Sequence, residues 1–543
     1  MDVLLVASGK SSRLIDYTHD YIPKFLLNID NYPALVKIIQ YWSKYAKRFF
    51  LVIHESFNHI TQFIIDHFLK ELKDNIFIFH YNDYNGTAFT IDFIYKKYLN
   101  NYNIKNLLIS WSDILPEEEL NMHHFELQEN NLNKTMKNKI YVFTYGNDCR
   151  YILDNNEIKL SDQGNIIGIY YIKNLDYFLE NVKENIDIVE YLKKINNTIL
   201  FEYELNKVLD FGDAQKYKTI IELQNDINKL NCRSFNEILI KNGKILKKSI
   251  HEKGLTVIKH EMEFYKFLNL QNNEELLNLF PKIDQFYDSA FSMVYKKDYI
   301  NLYKSLKLNN IHKNKNIITQ VLNKLNVLHS FKTEKIKKTQ FLYDIKAEIY
   351  DKIINRISII QPLLNHFPKF KKVNDIYIYD FDFILKWISQ YIFNYYELLD
   401  NYEYVIIHGD PNFSNILIHQ ENDDICFIDP RGYFSTNKIF GPIEYDYAKI
   451  LYGLSGYDEF NNHHFVIDSI NEHEIKFNIQ TIPINKEFID QTFNKIHKMF
   501  MVIIWLGLAE YNKNNIWKCV ASYYHGLYLG TKLFIECQNS NTL

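Results

Sequence analysis

Cysteine is scarce in this chain. There are five, Cys149, Cys232, Cys426, Cys519 and Cys537, and no two form a C-x-x-C pair. An odd number without that spacing argues against a disulfide framework or a zinc site and predicts a reduced, cytoplasmic protein. The opening MDVLLVASGK has no basic region ahead of its apolar run, which argues against a signal peptide. Long hydrophobic runs are missing too. The longest, MFMVIIWLGLA from Met499 to Ala509, is too short for a bilayer and reads as a buried helix. Charge is nearly balanced, at −4 net, so neither nucleic acid nor an anionic membrane is expected as a partner. No short repeat is evident, and no Gly/Ser-rich or Pro-rich linker divides the chain.

Apolar residues make up 47% of the 543 and charged residues 24%, enough for a large core and against global disorder. The 42 Tyr and 39 Phe are spread throughout, as a composition bias is and a nucleic-acid stacking platform is not. At roughly 150 residues per domain the length suggests three or four compact units, and two multi-lobed domains fit equally well.

Up to about residue 220, short apolar runs alternate with helical patterns. VLLVAS, FFLVIHE, NIFIFHY, NLLISW, KIYVFTY and IIGIYYI read as strands, with ALVKIIQYWSKYA and ITQFIIDHFLKEL as helices between early ones. That alternation predicts an α/β domain over 1–225 with a mostly parallel sheet covered by helices on both faces. The texture then changes, with the junction near 220–232. RSFNEILIKNGKILKKSI reads as a hairpin on an Asn-Gly turn, followed by a helix, KHEMEFYKFL, and a strand, AFSMVYK. A smaller unit at 226–300 and a mostly helical one at 301–543 are expected.

The most informative segment is VIIHGDPNFSNILIHQENDDICFIDPRG, residues 405–432. Asp410 and Asn415 lie in a turn-prone loop with the Asp-to-Asn spacing of the protein-kinase catalytic loop, and Asp429 follows a short apolar strand where those enzymes carry D-F-G. Phosphoryl transfer needs such parts: a carboxylate that takes a hydroxyl proton, an amide oxygen and a second carboxylate on a metal. HGDPNFSNIL with FIDPRG resembles the aminoglycoside phosphotransferase and choline kinase family, which phosphorylates small molecules. The resemblance implies a bilobal protein-kinase-like fold over 226–543, Asp410 as general base, and Asn415 and Asp429 as Mg²⁺ ligands. It implies an ATP lysine, Lys247 or Lys248, of which Lys247 is preferred, and an orienting glutamate, Glu261 with Glu263 as fallback. It also implies an adenine hinge at Met293 and Tyr295. His408 is expected to hold the loop, Arg431 to face phosphates or an acidic neighbour, and Asp446 to be structural. The helix ending Leu325-Asn-Val-Leu328-His329 resembles a packing element of the family. No glycine-rich loop is present; 233–236 stands in its place.

The N-terminal region carries a second set. LLVASGKSSRL, residues 4–14, follows the first strand. Gly9, Ser11 and Ser12 are small residues in a turn that lets backbone N–H groups approach phosphates. Arg13 adds a cation, and Pro23-Lys24 adds another. Gly86-Thr87-Ala88 in YNGTAFT, Asp113 in LLISWSDIL and Asp210 in VLDFGDAQKY follow in order. Together they resemble the sugar-phosphate and choline-phosphate nucleotidyltransferase family. The resemblance implies a Rossmann-like domain, with Gly9, Ser11 and Ser12 at the nucleotide phosphates and Gly86, Thr87 and Ala88 at base and ribose. Asp113 and Asp210 would hold Mg²⁺, while Arg13 and Lys24 offset the repulsion between two reacting phosphates. The departures are Ser11 for the family's second glycine, Ser112 for the glycine before the metal aspartate, and Asp213 where threonine is common.

The two sets on one chain predict a bifunctional transferase. Its kinase half uses ATP and Mg²⁺, its nucleotidyltransferase half a second NTP, with CTP a candidate. The expected partners are small-molecule substrates, with oligomeric state left open. The rival readings are an antibiotic-type phosphotransferase with an unrelated nucleotidyltransferase, and a non-catalytic nucleotide-binding regulator.

Overall fold

The computed structural model describes residues 1–9, 11–83, 86–121, 138–154, 157–180, 182, 186–195, 198–227, 236–250, 252–331, 333–462 and 465–540. Cys232 and residues 233–235 of the stretch standing for a glycine-rich loop lie outside them. The other four cysteines are free. Among the described residues no helix is long and apolar enough to cross a membrane. The backbone contacts divide the chain into two units. One comprises 1–226 with 362–367 and 514–516; the other holds 227–361, 368–513 and 517–543.

The first unit is a mixed α/β structure around a seven-stranded sheet. Its strands are β1 (Asp2–Val6), β2 (Arg48–Ile53), β3 (Ile76–His80), β4 (Leu107–Trp111), β6 (Asn138–Asp154), β7 (Glu157–Ile172) and β8 (Thr198–Glu204), in the order β8-β6-β7-β4-β1-β2-β3. β5 (Ile114–Pro116) pairs separately with β9 (Val208–Asp210). Helices α1 (Ala34–Trp42), α2 (Asn58–Phe68) and α3 (Thr87–Ile94) fall between the early strands, and α4 (Ala214–Ile227) follows β9. β1 lies between β2 and β4, parallel to both, and Val3, Leu4 and Leu5 are fully buried. A strand covered on both faces has no polar side to present, which is why DVLLV shows no alternation. Leu4, Phe50, Val52, Ile109, Val142 and Tyr170 join one core, the aliphatic and Phe side chains contributing roughly 1.5–3 kcal/mol each on burial.

The sheet is not parallel throughout. β7 runs antiparallel to both β4 and β6, and β6–β7 form a long hairpin. KIYVFTY and IIGIYYI are only parts of these two strands, which run on through the polar stretches 146–150 and 161–165 to far ends where Leu153 and Ile158 return to the core. The segment after β1 is short. Only a 3₁₀ turn at Ser12–Leu14 and a single helical turn at Ile15–Thr18 follow it, closed by His19 in the left-handed region.

The second unit begins with a four-stranded antiparallel sheet of β10 (Asn236–Lys241), β11 (Lys244–Ser249), β12 (Ile283–Phe286) and β13 (Ala290–Val294), ordered β10-β11-β13-β12. Asn242 and Gly243 join β10 to β11 with φ of +52° and +70°; both residues of a type I′ turn need that sign, which selects Asn-Gly. α5 (Glu252–Gln271) follows this hairpin. Next come β14 (Tyr299–Asn301), α6 (Ile311–Phe331), α7 (Phe381–Glu397), β15 (Glu403–Ile406), β16 (Ile416–His419), β17 (Ile425–Phe427), α8 (Ile443–Leu454), α9 (Tyr457–Asn461) and α10 (Lys495–Tyr511). The apolar run from Met499 to Ala509 is the heart of α10, almost wholly buried.

Candidate active sites

In the first unit, strand pairing creates the candidate site. β9 runs antiparallel to β5, with Asp210 opposite Ile114, and the Phe211 N–H donates to the Asp113 carbonyl at 3.0 Å. Residues far apart in sequence thus come side by side. A Cβ placed on Gly212 would lie 2.9 Å from Asp113 Oδ2 and 3.2 Å from Asp210 Oδ1. Both carboxylates therefore approach one point, which glycine keeps open.

Cations compensate each carboxylate. Lys24 Nζ meets Asp113 Oδ2 at 2.5 Å, and the Lys24 backbone N–H donates to Ser11 Oγ at 3.0 Å. Asp113 is buried and its Oδ1 has no hydrogen-bond partner among the described residues, an unmet demand a cation would satisfy. Lys216 on α4 contacts Asp210 Oδ2 at 2.6 Å and Asp148 Oδ2 at 2.8 Å. Burial alone would lower the Lys216 pKa, but these two carboxylates reverse the shift and raise it. Sequence reasoning missed Lys216; its place six residues after Asp210, within the first turns of a helix, was the available signal.

Gly9, Ser12 and Arg13 are exposed, and among the described residues nothing lies within 4 Å of where a Gly9 side chain would be. Gly86, Thr87 and Ala88 pack against 186–188. The Ala88 N–H donates to the Ile186 carbonyl at 3.1 Å, and the Thr87 hydroxyl accepts from the Ile188 N–H at 2.9 Å. Gly86 has φ of +89°, and a Cβ there would fall 2.4 Å from the Ile186 oxygen.

In the second unit the centre is Lys247. Its Nζ lies 2.7 Å from Glu261 Oε2 and 2.8 Å from Asp429 Oδ1. Lys247 and Glu261 are buried, whereas Lys248, on the other face of β11, pairs with Glu237 at the surface. Burial lowers the Lys247 pKa, but the two carboxylates outweigh it and raise the value, so the side chain is an ammonium. The fallback Glu263 pairs with Lys438 instead.

The loop after β15 is held from several sides. Asp446 on α8 accepts the N–H groups of His408 at 2.8 Å and Gly409 at 2.7 Å. It also meets His329 Nε2 at 2.9 Å, so the end of α6 clamps the loop as well as packing. The Asp410 N–H donates to His408 Nδ1 at 3.2 Å, and the opposite ring nitrogen lies 2.9 Å from the Ile428 carbonyl. Burial lowers the His408 pKa. A neutral imidazole accepting at Nδ1 and donating from Nε2 satisfies both contacts.

Asn415 donates from Nδ2 to the Asp410 carbonyl at 2.9 Å, leaving Oδ1 as the atom suited to a metal. Pairing of Ile416 with Phe427 brings Asn415 and Asp429 to the same end of the β16–β17 hairpin. Among the described residues no group of three or more His, Cys, Asp or Glu is placed to hold a metal. Mg²⁺ nevertheless suits both pairs, because it takes one or two carboxylates and completes its shell with phosphate and water.

Arg431 is bound to Glu348 at 2.9 Å and to the Tyr445 hydroxyl at 2.8 Å, so the acidic neighbour holds it. Met293 is buried in β13, and the Tyr295 N–H donates to the Gly243 carbonyl at 2.9 Å. Glu444 accepts from the Tyr396 hydroxyl at 3.0 Å, and burial raises its pKa. Two further residues escaped sequence reasoning. Lys449 Nζ lies 2.8 Å from Asp410 Oδ1, and buried Asp458 accepts the Ser414 N–H at 3.1 Å.

No protein-family model matches the chain, and no curated protein does. Among solved structures it is similar to a putative glucose-1-phosphate thymidylyltransferase from Bacillus anthracis in complex with sucrose (16% identity, 43% of this chain and 98% of that one, TM-score 0.34). It is also similar to the inositol-1-phosphate CTP transferase from T. maritima (16%, 42% and 98%, TM-score 0.31). A third is the CTP:phosphocholine cytidylyltransferase from Streptococcus pneumoniae (12%, 41% and 98%, TM-score 0.31). At likenesses of this size the chemistry rests on the residues themselves.

Proposed function

We propose that this protein is a bifunctional cytoplasmic transferase. The C-terminal unit, read as a bilobal kinase-like fold with lobes at 226–300 and 301–543, moves the γ-phosphoryl of ATP to a small alcohol, sugar or amino alcohol. The N-terminal unit, read as a Rossmann-like nucleotidyltransferase over 1–225, joins the resulting phosphate to the NMP part of a second NTP, CTP being a candidate, and releases pyrophosphate. The product is an activated precursor for surface glycan, capsule or phospholipid-type synthesis. The observation that carries this reading is Lys247, buried between Glu261 and Asp429. An ammonium held so, near the end of the hairpin that bears Asn415, is what orienting a nucleotide triphosphate requires.

Each residue then has a task. Lys247 steadies the ATP phosphates, Glu261 fixes its direction, and Asp410 takes the proton of the acceptor hydroxyl. Met293 and Tyr295 flank the adenine. Asn415 and Asp429 in one unit, and Asp113 and Asp210 in the other, are the residues that would hold Mg²⁺, whose charge offsets that of the phosphates. In the N-terminal unit the nucleophile is already ionised, so little proton transfer is needed. There Arg13 and Lys24 neutralise two approaching anions, Gly9, Ser11 and Ser12 present backbone N–H groups to the triphosphate, and Gly86, Thr87 and Ala88 meet base and ribose.

The test is a coupled assay with purified protein, ATP, each NTP and a panel of alcohols. ADP formation should create a phosphate ester that is then consumed with pyrophosphate release. An ester formed but never consumed, whatever the NTP, refutes the sequential reading.

A further inference from the structure

We infer that Lys449 is a catalytic residue of the phosphotransfer, its ammonium passing from Asp410 to the transferred phosphoryl group. This assignment rests on the C-terminal reading above and adds to it a residue outside the loop. Lys449 Nζ lies 2.8 Å from Asp410 Oδ1, with the two side chains only 13% and 8% exposed. The Tyr452 ring stands 5.3 Å from the ammonium and the Tyr445 ring 6.0 Å, so two aromatic faces fix where the charge can go.

The helix that carries Lys449 also holds the loop. Asp446 sits three residues earlier on α8, on the same face, and binds the His408 and Gly409 N–H groups. The helix thus places the Lys449 ammonium against Asp410. Loop geometry does not explain its presence. Asn412 Nδ2 already donates to Asp410 Oδ1 at 3.0 Å, Asn415 holds the Asp410 carbonyl, and Asp458 holds the Ser414 N–H. Burying an ammonium carries a desolvation cost that structural pairing alone often fails to offset.

Phosphoryl transfer supplies the reason. The transferring group spreads negative charge over three oxygens and must approach the Asp410 carboxylate. A cation already on that carboxylate removes the repulsion at the start. During the reaction the acceptor O–P bond forms and the bond from γ-phosphorus to the bridging oxygen breaks, with ADP leaving. The acceptor proton goes to Asp410. Lys449 keeps its own proton, and its contact moves from the now neutral carboxyl to the phosphoryl oxygens. A compact ammonium on a flexible stem can make that move, whereas a planar guanidinium is committed to fixed directions.

The experiment uses the full chain with MgATP, the alcohol panel, and water as the default acceptor. Lys449→Met should lower kcat for ADP formation by roughly 10²–10³-fold, with KM for ATP and the melting temperature nearly unchanged. Lys449→Arg, which restores charge but not shape, should recover part of the loss. Retention of wild-type kcat by Lys449→Met overturns the assignment. So does a kcat loss matched by weaker ATP binding or a lower melting temperature in both variants, since that marks a merely structural pair. Failure of the underlying reading looks different: Lys247→Met would leave ADP formation intact, or the wild type would form none. Either result removes this assignment as well.

Discussion

Asp458 lies beneath the loop of the C-terminal unit, 2% exposed. Burial pushes its carboxyl from 3.8 up to about 7; the backbone N–H groups of Ser414 and Phe413 that it accepts offset part of the rise, and the Asp410 charge adds to it. Because the folded pKa is raised above the unfolded one, the native state binds the extra proton. The stability this gives is full below about pH 4 and is lost as pH rises through about 7. A shift of this size corresponds to about 4 kcal/mol at ~1.4 kcal/mol per unit. Asp458→Asn keeps an acceptor for the Ser414 N–H and cannot ionise. Urea unfolding of the two proteins from pH 4 to pH 8 should show the wild type falling behind the variant by up to that amount. Parallel curves would show that Asp458 does not titrate in this range. The residue scale is also where the sequence was most legible. Asp410, Asn415 and Asp429 stand out by spacing, since a loop of fixed length places its own side chains. Lys449 does not, because its partner is 39 residues away and only packing of α8 brings them together.

At the scale of elements, the loop that bears Asp410 depends on a helix outside it. Fully buried Asp446 accepts from two backbone N–H groups and meets His329. Asp446→Ala would leave buried donors unpaired, so a loss of about 3 kcal/mol is expected in urea unfolding, with ADP formation falling alongside. A change below about 1 kcal/mol would mean that water replaces the carboxylate. Element type was readable where local chemistry dictates it. The Asn242-Gly243 turn is one case, since its left-handed backbone selects those residues, and the unbroken apolar run of β1 is another. Strand direction was not readable. Nothing in IIGIYYI tells a parallel strand from the antiparallel partner of β4 and β6 that β7 is, because both directions bury the same side chains.

At the scale of the whole molecule, each candidate site is built from residues of a single unit. Asp113, Asp210 and Lys24 belong to the first; Lys247, Asp410, Asn415 and Asp429 belong to the second. Single substitutions should therefore separate the activities. Asp113→Ala should cut pyrophosphate release by ~10²-fold or more while sparing ADP formation, and Asp410→Ala should do the reverse when the phosphate ester is supplied directly, so that the N-terminal unit does not depend on the kinase step for its substrate. Loss of both activities from either change, with the phosphate ester supplied, would refute the two-site reading. The sequence by itself determined the residue types, the spacing within each loop and the alternation that builds the first sheet, because these depend on neighbours along the chain. Only the tertiary structure decided which lysine meets Glu261 and Asp429, that Gly212 keeps a gap between Asp113 and Asp210, and that Lys449 and Lys216 sit on carboxylates. Those contacts join distant segments, and their geometry exists only once strands have paired and helices have packed.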